Sequence, residues 1–153
     1  MNTSNANMIY RFDEIVGADN EKHILIGEQA LYRCGLTTLI LPVLQCSSGY
    51  LNINGLSSPV VRWYFNPMYN QYFDTNPSPA CPNILEPSQE RALMESMVYH
   101  DYFDEGILIE AIKTYGFQHD NDWGKIYDLF KMKKFSTDIP DYWINEALND
   151  YEV

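Results

Sequence analysis

Between Asn66 and Pro87 the chain places five prolines in "NPMYNQYFDTNPSPACPNILEP". Proline holds φ near about −65° and has no N–H to give, so a continuous helix cannot cross this stretch, and proline fits only edge or end positions of a strand. The segment suits an extended connector. It also separates two kinds of sequence.

Ahead of it the pattern is β-like. "HILIG" at 23–27 is a short strand, "EQALYRCG" a brief helix with Ala30, Leu31 and Cys34 inward and Gly35 as its left-handed end. "TTLILPVLQ", "GYLNING" and "SPVVRWYFNP" are rich in β-formers and bounded by turn residues. Behind the connector, apolar positions recur at helical spacing. Pro87 is expected at the first position of a helix carrying the pairs Leu93/Met97, Met94/Val98 and Tyr99/Phe103. "DEGILIEAIKTYG" places Leu108, Ala111, Ile112 and Tyr115 on one side and is expected to stop at Gly116. Asp122 is expected to cap "WGKIYDLFKMKKF", and Pro140 to begin a last helix whose apolar set is Trp143, Ile144, Ala147, Leu148 and Tyr151.

The expectation is an α+β fold: a small, mostly antiparallel sheet with one short helix, followed by a C-terminal bundle of about four helices. It comprises a partly flexible segment 1–22 and one domain over 23–153, β-rich at 23–66, Pro-rich at 67–87 and helical at 88–153. At 153 residues, a chain can bury roughly two-thirds of its unfolded surface around a single core without disulfides or a metal. Cys34, Cys46 and Cys81 form neither a CxxC pair nor a Cys/His cluster, so they read as idle thiols in a reducing, cytoplasmic setting. The longest apolar run, "LTTLILPVL", is too short to span a bilayer and is broken by Pro42. No basic, apolar leader opens the sequence.

Charge is the other constraint. The net charge is −11, and residues 86–153 hold fifteen acidic against six basic side chains. Direct binding to nucleic acid or to an anionic membrane needs clustered Lys and Arg, so neither is expected. A basic protein partner fits better: a nuclease, a toxin or a nucleic-acid-binding protein.

Two segments resemble a known family. "HILIGEQALYRCGLT" resembles the part of AbiEi-type abortive-infection antitoxins in which a short Ala-Leu-Tyr helix ends at a Gly-Leu pair. "EPSQERALMESM" resembles their Pro-x-x-Arg-Ala-Leu helix start. The order of parts is similar over roughly residues 23–150. The resemblance implies an antitoxin-like effector region paired with a nucleotidyltransferase-like toxin. With 22 residues ahead of "HILIG", the family's winged helix for operator binding is not expected, and the acidic C-terminal half departs from the family's often basic one.

No catalytic or nucleotide motif is present. "GLTTLI", "SSG" and "NING" match no GxSxG, GxGxxG or Walker pattern. "HDNDW", with His119, Asp120 and Asp122, reads as a capped loop rather than a metal site, and no cofactor is expected. "YHDYFDEG" supplies His100, Asp101, Asp104 and Glu105 as acid–base groups for an alternative in which the protein is a small enzyme. The favoured expectation is a non-enzymatic acidic binder, an inhibitor or neutraliser in phage–host or toxin–antitoxin conflict that masks a basic surface; an antitoxin-like module of a type IV toxin–antitoxin system is the other alternative. Its contact residues are expected to be Glu90, Glu95, Tyr99, Asp101, Tyr102, Asp104, Glu105 and Glu110, with tyrosines adding rigid contact area.

From Glu86 to Glu110 there are seven carboxylates and one Arg91, over roughly 36 Å if helical. Duplex DNA presents roughly twenty charges over that length. Mimicry of a duplex therefore needs Asp120, Asp122, Asp128, Asp138, Asp141, Glu146, Asp150 and Glu152 to gather on the same side.

Overall fold

The computed structural model of the chain describes residues 21–41, 43–49, 61–79 and 81–149. The segment 1–20, the run "LNING" and Tyr151 lie outside the described residues. Chain order is β1 (His23–Ile24), α1 (Gly27–Arg33), β2 (Leu44–Ser48), β3 (Val61–Phe65), β4 (Thr75–Pro77), β5 (Ile84–Pro87), α2 (Gln89–Val98), a 3-10 turn (His100–Tyr102), α3 (Glu105–Gln118), α4 (Gly124–Met132) and α5 (Asp138–Asn149). The class is α+β with a helical C-terminal part.

The strand pairing is mixed rather than mostly antiparallel. β5 lies between β1, with which it is parallel, and β4, with which it is antiparallel. β2 and β3 pair in parallel, Leu44 opposite Val61 through Ser48 opposite Phe65. A parallel pair needs a crossover of about a dozen residues or more, and the chain between β2 and β3 supplies that length. An antiparallel bridge between Leu25 and Cys46 joins the two sheets. The Pro-rich connector contributes β4 and β5, with Pro77 and Pro87 at strand ends where a missing N–H is tolerated. In "TTLILPVLQ" the strand begins only at Leu44; Leu39 and Ile40 are exposed.

α2 is the centre of the molecule. Residues 91–97 are all buried, including Arg91, Glu95 and Ser96. A helix enclosed on every side keeps polar residues only where they find partners. Arg91 uses all five guanidinium hydrogens: Nε and one terminal nitrogen donate to Glu95, at 3.2 and 3.3 Å, and three further bonds go to the carbonyls of Met68, Gln71 and Phe73. The guanidinium also lies 4.1 Å from the centre of the Phe73 ring. One side chain thus ties the loop after β3 to α2.

Helix ends follow local chemistry. Gly35 (φ +85°) ends α1 as expected, with the Leu36 N–H bonded to the Leu31 carbonyl. Pro87 is not the first residue of α2 but the last of β5; Ser88 caps the helix, its hydroxyl accepting from the Arg91 N–H at 3.1 Å, and Gln89 begins it. α3 runs past Gly116 to Gln118, and Asp120 and Asn121 take the left-handed conformation instead. Gly116 serves packing: a Cβ there would stand 2.9 Å from the Trp123 ring and 2.6 Å from the Asn121 side chain.

Candidate functional site

The end of α2, the 3-10 turn and the starts of α3 and α5 enclose a cleft of about 460 Å³, within the size range of ligand pockets. The end of α2 gives it an apolar floor of Met97 and Val98, to which α5 adds Ile139. His100 of the 3-10 turn and Trp143 and Tyr142 of α5 supply aromatic walls. Glu105, the first residue of α3, and Asp138, the first residue of α5, bring in carboxylates from two separate helices. Both acids sit in a first turn, where the helix dipole favours them.

The walls support one another. The Trp143 ring lies 5.2 Å from that of His100 and edge-to-face with that of Tyr142 at 5.1 Å. Trp143 is almost enclosed, whereas Tyr142 is half exposed at the rim. Asp138, Tyr142 and Glu146 recur every four residues and share one side of α5. The negative charge of Glu146 is the main cause that raises the Tyr142 phenol above its ordinary range, and Glu105 adds to it. Charge from α3 and from α5 therefore acts on one surface. Ion pairs join Arg33 to Glu86 and Arg91 to Glu95, and the His100 ring nitrogen lies 3.3 Å from the Asp101 carboxylate; among the described residues no ion pair reaches Glu105, Asp138 or Glu146.

The eight residues expected to contact a partner fall into different environments. Glu95 is fully buried and locked to Arg91 and to the Asn66 side-chain amide. It cannot reach a partner, and the expectation for it is corrected: its spacing from Arg91, four residues along one helix, makes it an internal counter-ion. Glu90 is half-buried, its carboxylate accepting from the Tyr115 hydroxyl at 2.8 Å. Tyr99 is half-buried; burial first, then the nearby Glu95 and Tyr102, pushes its phenol up to about 12. Asp101, Tyr102, Asp104, Glu105 and Glu110 are exposed. Asp101 pairs with His100 at 3.3 Å. The rings of Tyr99 and Tyr102 are stacked at 6.3 Å, and Tyr102 also packs on Tyr64 at 5.5 Å. Asp104 caps α3, accepting from the Ile107 N–H at 3.0 Å, while its own N–H donates to the buried Glu28.

Of the eight, Glu105 alone lines the cleft. Asp138, Tyr142 and Trp143 also line it, and their sequence signal is the four-residue recurrence of Asp138, Tyr142 and Glu146 beside a tryptophan. The later acids gather in part. Asp138 meets Glu105 at the cleft, but Asp120 and Asp122 follow the other end of α3, roughly 20 Å away at 1.5 Å per residue. Asp141 accepts from the Tyr127 hydroxyl of α4. Asp150 and Glu152 lie outside the described residues.

The histidines are engaged in contacts of different kinds. His119 stacks on Tyr115 at 4.1 Å and shares a hydrogen bond with Gln89 at 2.8 Å. Among the described residues, no three His, Cys, Asp or Glu side chains are placed to hold a metal ion. Burial drives the Cys46 thiol well above its ordinary range and takes that of Cys34 to about 12, so neither is a ready thiolate. No helix of the described residues is long and apolar enough to cross a membrane. Compared with known proteins, the chain matches no family model and no curated protein.

Proposed function

We propose that this protein is a non-enzymatic acidic binder that occupies a basic surface on a partner protein and so inhibits or neutralises it. What supports the reading is one arrangement: Glu105 and Asp138, from different helices, meet at a cleft with no Lys or Arg paired to either among the described residues. Carboxylates placed without internal counter-ions strengthen attraction to an external cation. Asp101, Asp104 and Glu110, in and just after the 3-10 turn and on α3, are further exposed acids, and exposed Tyr102 and Tyr142 offer aromatic contact area. Such a face steers association, so salt weakens binding chiefly through the on-rate.

The experiment is capture of basic proteins by the immobilised chain in low and high salt, with Asp101→Lys/Glu105→Lys/Glu110→Lys/Asp138→Lys run in parallel. A discrete basic protein held by the native chain, released by salt and lost with the variant supports the proposal. Capture that ignores both salt and charge reversal contradicts it.

A further inference from the structure

We propose that the cleft between the starts of α3 and α5 is a pocket for one cationic side chain, arginine or lysine, presented by a basic segment of the partner. The inference rests on the acidic-binder proposal and narrows it to one site. Such a side chain has an apolar stem and a charged head, and the cleft has both counterparts. Met97 and Val98 form an apolar floor, while Glu105 and Asp138 supply charge. Tyr142, half exposed and backed by the Trp143 ring, adds a ring surface of the kind that attracts a guanidinium or ammonium group.

Other ligand classes fit less well. The starts of two helices attract anions when left bare, but here each carries a carboxylate that repels one. A neutral apolar ligand would desolvate Glu105 and Asp138 without pairing them, which is unfavourable. A metal ion lacks its ligand set among the described residues. A cation on an alkyl stem satisfies the acids and covers the floor together.

The test is a titration of the isotope-labelled full chain with N-acetyl-arginine methylamide, and with its neutral isostere N-acetyl-citrulline methylamide, followed by NMR. The arginine compound is expected to give saturable shifts at the Trp143 indole N–H and the backbone amides of Glu105 and Tyr142. Binding of the citrulline compound, or of the arginine compound to Glu105→Gln/Asp138→Asn, is expected to be weaker by about fivefold or more. Equal binding of the two compounds overturns the proposal, as do shifts confined to other regions. Should the double variant lose its native spectrum, the comparison of the two compounds on the native chain decides alone. If the arginine compound leaves the cleft unmoved while protein capture still depends on the acidic face, the pocket is wrong and the binder proposal stands. If the compound fills the cleft and capture fails, the pocket stands and the binder proposal falls.

Discussion

Arg91 and Glu95, one helical turn apart, form an ion pair from which water is fully excluded. Removing one partner leaves the other charge buried and alone, so Arg91→Met is expected to destabilise the fold by about 3–5 kcal/mol in urea denaturation. Arg91→Met/Glu95→Met should recover part of that loss, because no unpaired charge remains. A double variant as unstable as Arg91→Met would show that the bonds from Arg91 to the 68–73 carbonyls, rather than the ion pair, dominate.

Gly27 has φ +70°, and a Cβ there would come within 2.4 Å of the Phe103 ring. Gly27→Ala therefore meets backbone strain and overpacking together, and a loss of about 1–3 kcal/mol is expected by thermal or urea denaturation. Gly35 also has positive φ but has nothing within 4 Å of its would-be Cβ. Gly35→Ala should cost less than Gly27→Ala.

Tyr127 and Asp141 link α4 to α5, and burial followed by this hydrogen bond raises the Tyr127 phenol from an ordinary 10.0 to about 12. A group raised on folding stabilises the fold below its unfolded value and loses that contribution as pH rises through the folded one. Stability should therefore be insensitive to this group below about pH 10 and fall between about pH 10 and 12. In Tyr127→Phe the fall over that window should be smaller, as read by denaturation at stepped pH alongside phenolate absorbance.

Asp104 does two things that its charge alone did not announce. It caps α3 and lies on the acidic surface. Asp104→Ala is expected to cost about 1 kcal/mol of stability, whereas Asp104→Asn keeps the cap and removes the charge. Exposed Glu110, away from any cap, should tolerate Glu110→Gln within about 0.5 kcal/mol. If Asp104→Asn binds a basic partner less well while remaining as stable as the native chain, the surface and structural roles are separate.

Much of the fold was legible because helix periodicity and turn chemistry are local. The α5 core positions Trp143, Ile144 and Ala147, the end of α1 at Gly35, and the α+β division all follow from neighbours a few residues apart. Strand direction depends on which distant segments meet, and nothing within "VRWYF" tells it to lie parallel to "LQCSS". A glycine can end a helix or admit a neighbouring ring, and at Gly116 the ring is that of Trp123, placed by the turn at Asp120 and Asn121. The candidate site divides in the same way. The acidic neighbourhood of Glu105 is local, but its convergence with Asp138, Tyr142 and Trp143 requires packing of α5 beside the end of α2 and the start of α3. A carboxylate such as Glu95 reads as solvent-facing until its buried arginine is known.

The most direct measurement of the central claim is the association rate between the protein and a captured basic partner, taken across a salt series for the native chain and for Glu105→Gln/Asp138→Asn. An acidic binding face predicts an on-rate that falls steeply with salt in the native chain, and a lower on-rate with a shallower salt dependence in the variant, at unchanged stability. Identical on-rates and identical salt dependence in a folded variant would contradict it.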